Sequence, residues 1–487
     1  MMDFINVVDL LTKNGLVTDR FLPYNPKLEG ICDDSRTSTD SLLFVCIEGT
    51  RFDSHVVAST TPAAAFICQK IIDTDKPFVV VKDSRLALAL VSYEFYGRVY
   101  ERIKSFSVTG TKGKTTAVTV FKEIMSLAGK KCALTSTVLN STPLHSVASE
   151  HTTQSSLYTA KFLNKALKEG AEFVAIEASS QGLDMKRLDG YYFDRAAFLN
   201  LSRDHFDTHM NFQNYFSAKA HLLDLVKPNG IVFVNLNAGK WSSRYASLAR
   251  KRGFKVVTYG RRGDVFLKVI KETDGGITFT LKLEGTLHDF FSPTIGGFMA
   301  ENMAASILAA HSFGIDIDII KRAVREFKGV EGRLERYYGK EYDFYVDFAH
   351  TSAALEAVLK TVKNLSRGRV IVVFGAGGEA DRGKRPLMGK VAQQYADVIF
   401  LTNDNPKSEN PTIIINEVAS GISKRSKLRV IPDRREAIKE AFREWRKGDR
   451  VVIAGKGHEK TQIFDGYEIP FNDKDVAFEI LKEMGRI

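Results

Sequence analysis

Long apolar runs are missing from this chain of 487 residues. No stretch approaches the roughly 18 residues that a membrane-spanning helix needs, which excludes a helical membrane protein. No export signal is expected either. Such a signal needs a basic start and an uninterrupted apolar core. Here MMDFINVVDLLTKNG carries Asp3 and Asp9 and places Phe4, Val7, Val8 and Leu11 at helical spacing, so an amphipathic first helix stopped at Gly15 is expected. Cysteine is sparse. Cys32, Cys46, Cys68 and Cys132 lie far apart and form no C-x-x-C pair, which points to buried free thiols. With no export signal, a cytoplasmic location is expected. There is no solenoid-period repeat, no low-complexity tract, no zinc-finger spacing and no RNP-type aromatic strand. Glutamine is scarce and charge plentiful, a composition associated with hot habitats.

What is present is a globular composition, 44% apolar and 26% charged, with a formal charge of +11. That charge calls for anionic partners: nucleic acid, or phosphorylated or carboxylated small molecules. The densest basic run, DRREAIKEAFREWRKG from Asp433, has an apolar stripe of Ile438, Ala441, Phe442 and Trp445, a cap at Asp433 and a stop at Gly448. It reads as a surface helix packed on a sheet with solvated charges. No nucleic-acid or membrane partner is expected, and a monomer is.

The length suggests about three domains. In residues 1–103, LLFVCIEG, AAFICQK and PFVVVKD are strand candidates, and ERIK at 101–104 marks a boundary. Residues 104–331 carry buried-strand signals at SFSVTG, EFVAIEA, DRAAFLNL and IVFVNLN, separated by helical stretches. Residues 332–487 repeat the alternation with FYVDFAH, RVIVVFG, DVIFLTND and DRVVIAG. An α/β protein with largely parallel, doubly wound sheets follows. Ligands gather at the carboxyl ends of such strands, and the polar clusters fall there: Glu177, NLSRDHFDTH, Asp347 with His350, GAGGEADRGKRP, DNPK and GKGHE.

The stretch SVTGTKGKTTAVT, 107–119, places a glycine-bounded turn between a strand and a helical run. The usual phosphate loop, G-x-x-x-x-G-K-[ST], would put a glycine at 108, where this chain has Val108. The chemistry still fits. A helix N-terminus offers N–H groups and a positive dipole end to phosphate. Gly113 allows close approach, Lys114 can bridge phosphates and the Thr115 hydroxyl can ligate Mg²⁺. Glu177 ends a strand of the same sheet, where a metal carboxylate is expected. In RDHFDTH, His205 and His209 flank Asp207; this is a polar surface turn or part of a second cation site. In NYFSAKAHLLDLV, Lys219 interrupts the stripe Tyr215, Phe216, Leu222, Leu223 and Val226. It must snorkel out, be held neutral, or be chemically changed, as by CO₂ to a carbamate able to hold metal.

Taken together, GTKGKTT, EASSQGL, NLSRDHFDTH, Tyr215 to Lys219, GVEGRLE, VDFAHT, FGAGGEADRGKRPLMG, TNDNPKSENP and AGKGHE resemble the Mur ligases across the whole chain, from DSR at 34–36 to FNDKDVA at 471–477. The likeness is strongest to members that add the third residue of the peptidoglycan stem peptide. The family's loop is G-T-x-G-K-T, which puts Gly110 in place. The resemblance implies an N-terminal UDP-binding α/β domain, a central P-loop ATPase domain and a C-terminal Rossmann-like domain. It also implies ATP, two Mg²⁺ ions and a carbamate on Lys219 as cofactors. The substrate it implies is UDP-MurNAc-L-Ala-D-Glu, whose γ-carboxylate is phosphorylated before an amine attacks. Gly110, Thr111, Lys112, Gly113, Lys114, Thr115 and Thr116 would hold ATP, with Asn302, Arg333, Asp347 and His350. Lys114, Glu177, His205 and Lys219 would be catalytic, with Thr115 and Glu177 on one metal and His205 and Lys219 on the other. Ser35, Arg36, Thr152, Thr153, Ser179 and Arg187 would hold the UDP-muramyl dipeptide. The chain departs from the family pattern in TTQ, with Gln154 for proline, in GGFMAEN, and at Asp40 and Ser54, where glycine is usual.

Asp404, Asn405, Lys407, Gly455 and Glu459 match the positions for the incoming amino acid. Diaminopimelate-adding members usually show D-N-P-R, whose arginine grips a distal carboxylate in a planar fork. Here Lys407 keeps the charge without the fork, and Ala380 replaces a second arginine. Lysine is therefore the expected amino acid, with meso-diaminopimelate as the alternative. Asn405 is expected to cap a helix begun by Pro406, with Lys407 in its first turn. DSR, DNPK and GKGHE argue against a ligase adding another residue and against a folate or cyanophycin relative. A nucleotide switch without ligase chemistry would lack Lys219 or His205. A P-loop kinase would pass phosphate to a stable acceptor.

Overall fold

A computed structural model describes residues 2–49 and 52–487; Thr50 and Arg51, inside the DSR-to-His55 stretch, lie outside the described residues. The chain divides into two compact units, each gathered from separate segments: 1–109, 129–196 and 218–232 in one, 110–128, 197–217 and 233–487 in the other.

In the first unit the three apolar runs of the N-terminal segment are strands Leu42–Val45, Ala65–Cys68 and Phe78–Val81, paired in parallel with Gly30–Cys32 on one side. Val17–Phe21 adds an antiparallel edge. Helix Phe4–Lys13 buries Phe4, Val7, Val8 and Leu11 in the same core as Leu43, Val45, Ile67 and Val79. The chain leaves that helix through Gly15 at a positive φ of 67°. All four cysteines are buried free thiols. A second sheet in this unit pairs Phe173–Glu177 in parallel with both Lys104–Thr109 and Cys132–Thr135, setting Glu177 opposite Val108. The expected strands at DRAAFLNL and IVFVNLN lie in Phe193–Phe198 and Val226–Asn235.

In the second unit, helix Lys114–Leu127 follows the glycine-bounded loop and packs on helix Gly297–Ser312. Ser306 donates to the carbonyl of Ala117 at 2.5 Å between them. Strands Val265–Thr273, Gly276–Leu283 and Thr286–Ser292 form an antiparallel meander. A six-stranded sheet then runs in the order Glu335–Tyr338, Asp343–Asp347, Arg450–Ala454, Val370–Phe374, Val398–Leu401, Leu428–Val430. Only the first of these pairs antiparallel. Side chains alternate across a strand, and Val370, Val372 and Phe374 enter one apolar core while Ile371 and Val373 enter the other. Helices therefore cover both faces, as the near-continuous apolar strands require. The basic run is helix Arg434–Glu444, capped by Asp433, with Ile438, Ala441 and Phe442 buried. No helix among the described residues is long and apolar enough to cross a membrane.

Candidate active site

The carboxyl ends of these strands carry the candidate residues, and each unit holds its own set. In the second unit, Gly113 caps helix Lys114–Leu127 at a φ of 87°, a backbone region that favours glycine. A Cβ there would overlap the carboxamide of Asn302, so Asn302 and the loop need glycine at this point twice over. No side chain caps the helix, leaving its first N–H groups to a ligand. Lys114 folds over the loop, its Nζ donating to the carbonyls of Gly110 at 2.9 Å and Thr111 at 3.3 Å. Asn200, unremarked in the sequence, braces the loop from NLSRDH. Its Oδ1 accepts the Lys112 N–H at 2.9 Å and its Nδ2 donates to the Lys112 carbonyl at 3.0 Å.

Asp204 is a second residue that the sequence did not single out. Its buried carboxylate meets Lys112 Nζ at 3.2 Å, His205 Nε2 at 3.6 Å and His350 Nε2 at 3.7 Å. Burial opposes its charge, yet Lys112 and the two histidines hold its pKa well below the ordinary carboxylate range. Burial brings Lys112 down to about 8. It also brings His350 down to about 4, with Lys112 adding to the effect. The tautomer of His350 follows from its partners. Nδ1 faces the carbonyl of Phe348 at 2.8 Å, which can only accept, so Nε2 is left to accept from Lys112 at 3.2 Å. His205 has a φ of 55° and starts the short helix Phe206–His209. His209 stacks on Tyr215 at 5.2 Å, and His205 meets Asp204.

Asp347 accepts the Leu334 N–H at 2.6 Å, and burial raises its pKa to about 6 against the pull of Arg333. The Arg333 guanidinium lies over the Phe348 ring at 4.5 Å. Arg203 grips Asp381 with two hydrogen bonds of 2.7 and 3.0 Å. Nothing local in the sequence signals that pair, 178 residues apart.

At the DNPK corner, Asn405 is a hub. Its Nδ2 donates to Glu459 at 2.8 Å, and its Oδ1 accepts from Lys456 at 2.8 Å and from the Ile463 N–H at 3.1 Å. Burial raises the Glu459 pKa while Lys456 opposes. Asp404 is buried, its Oδ2 has no hydrogen-bond partner, and a Cβ on Gly455 would overlap that oxygen. The helix expected from Pro406 is not there. The helix begins at Pro411 and is capped by Asn410. Lys407 instead pairs across to Phe464 as an isolated bridge with a φ of 53°. The side chain of Asn405 is committed to the 456–463 segment and cannot cap a helix.

In the first unit, Thr152, Thr153, Glu177, Ser179 and Arg187 come together. Glu177 is fully buried and accepts from the Thr137 N–H at 2.8 Å and its hydroxyl at 3.0 Å. That hydroxyl also meets Thr152 at 3.1 Å. Thr153 Oγ1 lies 3.1 Å from Ser179 Oγ, and Arg187 donates to the Thr153 carbonyl at 2.6 Å. Gln154, in place of a proline, donates to Ser149 and to the His151 carbonyl, both at 2.8 Å, so side-chain bonds brace that loop. Arg36 lies exposed on the turn Ser35–Thr37 and pairs with Asp34 at 2.7 Å. Lys219, on helix Phe212–Ala220, is 1% exposed, which rules out the snorkelling alternative. No three His, Cys, Asp or Glu side chains among the described residues gather as a metal cage. The expected ligand set is of another kind, one hydroxyl, one carboxylate, one imidazole and a modified lysine. Thr137 takes two of the roughly four acceptor sites of Glu177, leaving room for a cation.

Comparison with known proteins gives the family. Residues 108–310 match the Mur ligase middle domain and residues 332–457 the Mur ligase glutamate ligase domain. The chain is 36% identical to a UDP-N-acetylmuramoyl-L-alanyl-D-glutamate–2,6-diaminopimelate ligase of Aquifex aeolicus, over 93% of this chain and 94% of that one. It is 37% identical to the protein of the same description from Geobacillus kaustophilus, over 95% and 96%. A solved structure of such a ligase superposes with a TM-score of 0.69 at 30% identity, covering 98% of this chain and 99% of that one. The chain belongs to the Mur ligases, ATP-dependent enzymes that form amide bonds in the synthesis of peptidoglycan precursors.

Proposed function

We propose that this ligase joins meso-2,6-diaminopimelate to the D-glutamate γ-carboxylate of UDP-MurNAc-L-Ala-D-Glu, with ATP as the energy source. The sequence motifs favour lysine. The names borne by relatives at 36% and 37% identity support the alternative, and we adopt it. The observation that carries the reading is the Asp404 carboxylate, buried with an unpartnered oxygen facing the space that Gly455 leaves open. A buried acceptor without a donor is costly, and an ammonium-bearing ligand supplies the donor.

A carboxylate is a poor electrophile until one oxygen becomes a phosphate leaving group. The γ-phosphoryl group of ATP passes to the substrate carboxylate, the amine attacks the acyl phosphate, and the tetrahedral adduct collapses to amide and phosphate. Gly110–Thr116 wrap the triphosphate, and Lys114 supplies a cation to the transferring group. Asn302, Arg333, Asp347 and His350 hold the nucleoside side. Ser35 and Arg36 take the uridine end, and Thr152, Thr153, Ser179 and Arg187 the muramyl dipeptide. Thr115 and Glu177 would hold one Mg²⁺, and His205 and a carbamate on Lys219 a second; the ions would neutralise charge on the phosphoryl oxygens. Lys219 is 1% exposed, and an amine takes up CO₂ in its neutral form. Asp404, Asn405, Lys407, Gly455 and Glu459 hold the amino acid. The division at 103/104 and 331/332 belongs to the same proposal. It is supported by the gaps between sheet strands, from Val81 to Lys104 and from Ser292 to Glu335.

The test is product mass. The purified protein, ATP, Mg²⁺ and UDP-MurNAc-L-Ala-D-Glu are incubated with single amino acids. A product heavier by one diaminopimelate residue is expected; a product formed with lysine but not with diaminopimelate contradicts the choice.

A further inference from the structure

We propose that Lys384 is a further catalytic residue: from the start of helix Lys384–Tyr395, its ammonium binds the phosphoryl group that passes from ATP to the substrate carboxylate. The proposal rests on the reading above of Gly110–Thr116 as the triphosphate loop. Lysine is seldom buried unless its charge is answered. Lys384 is 5% exposed, yet its Nζ forms no hydrogen bond among the described residues. The carboxylate near it, Asp204, holds an oxygen 3.9 Å away, beyond hydrogen-bond range. Asp204 is already engaged by Lys112 at 3.2 Å and faces His205 and His350. Burial lowers the Lys112 pKa most; Asp204 opposes, and the like charges of Lys384 and Lys114 lower it further. Asp347 also feels Lys112, but Arg333 and the Leu334 N–H answer its charge more strongly. The corner therefore carries a surplus of ammonium groups, the condition that a polyanion meets.

The next residue shows a buried cation that is satisfied. Arg385 is fully buried and is met by Glu409 at 2.9 Å and Glu417 at 2.7 Å. That grip fixes the helix start on one side. Asp381 fixes it on another, accepting the Gly383 N–H at 2.9 Å while Arg203 holds both its oxygens. A Cβ on Gly383 would overlap Arg203 Nη2, so glycine lets this helix approach the 200–205 segment, whose Asn200 braces the phosphate loop. Lys384 is thus held beside the loop with donors to spare. In the transfer, the bond from the γ-phosphorus to the ADP oxygen breaks as a bond to the carboxylate oxygen forms. The amine then bonds to the acyl carbon, its proton goes to solvent, and the carbon–oxygen bond to phosphate breaks. Lys384 forms no covalent bond. It holds charge on the three oxygens that move, and a fixed cation does this best where water is excluded.

The test compares ADP, which lacks the moving group, with the β,γ-imido analogue of ATP, which keeps one in place. Binding of each with Mg²⁺, and kcat with ATP, are measured for the wild type, Lys384→Met, Lys384→Arg and Lys114→Met. Lys384→Met should bind ADP as the wild type does, bind the analogue about tenfold more weakly and lower kcat about 100-fold. Lys384→Arg should recover part of the kcat. Normal ADP binding also shows that a variant is folded. Equal weakening toward ADP and the analogue, as a displaced helix would give, overturns the proposal. So does a kcat within about threefold of the wild type in Lys384→Met. Lys114→Met tests the reading beneath: it should also weaken the analogue. If it binds the analogue normally, the loop reading fails and the role of Lys384 falls with it.

Discussion

His350 keeps its ring neutral by position. Its Nδ1 proton goes to the Phe348 carbonyl, and a cation, Lys112, already stands at Nε2. In an unfolded chain the ring takes up a proton as pH falls through about 6.5. In the folded chain it resists until about 4. Between those values the unfolded chain binds more protons, so stability falls as pH falls. The expected loss from this residue is about 2 kcal/mol between pH 7 and pH 5. Denaturant midpoints at the two pH values check it: His350→Asn should lose less than the wild type, and equal losses would remove the effect. Lys219 poses the other question at this scale. If its buried amine works as a carbamate, Lys219→Ala loses activity and a short-chain carboxylate partly restores it. Full activity in Lys219→Ala would end that role.

Among the elements, the junction of two helices and a strand behind the DNPK corner depends on one buried ion pair. Arg434, first residue of helix Arg434–Glu444, donates to Asp473 of helix Asp473–Glu483 at 2.7 and 2.8 Å. Both side chains are fully buried. Its Nη2 also donates to the Ala454 carbonyl at 3.0 Å, at the end of the strand that leads to Gly455. Removing one partner of such a pair leaves an uncompensated charge, and Arg434→Met should cost about 3–5 kcal/mol in urea unfolding. A cost under about 1 kcal/mol would show that the pair is not needed. The sequence displayed the helix through its stripe and its Asp433 cap, and the parallel strands through their apolar runs. It did not display Arg434 as different from its basic neighbours, because the difference is a partner 39 residues away. Asn200, Asp204 and the Arg203–Asp381 pair were hidden for the same reason. The meander Val265–Ser292 escaped because its strands carry half-exposed faces, as in Val265–Thr273, rather than continuous apolar runs. The start of the helix after DNPK was misread by local rules. Pro406 suits a first turn, but tertiary bonds to Ile463 hold the backbone out of a helix there, with Lys407 at a positive φ.

For the whole molecule, motifs spread from Ser35 to Glu459 matched one family in order, and the family match rests on that order more than on any one residue. The choice of amino acid was less legible. Lysine for arginine at 407 keeps the charge and alters its geometry, which local chemistry reads toward lysine, whereas the relatives' names point to diaminopimelate. The account as a whole requires ATP cleavage to wait for both an acid and an amine. Phosphate release, followed with ATP and Mg²⁺ while UDP-MurNAc-L-Ala-D-Glu and meso-diaminopimelate are added singly and together, tests this most directly. The account predicts sustained release only when both are present. Equal release without the amine, or none with any diamino acid, would contradict it.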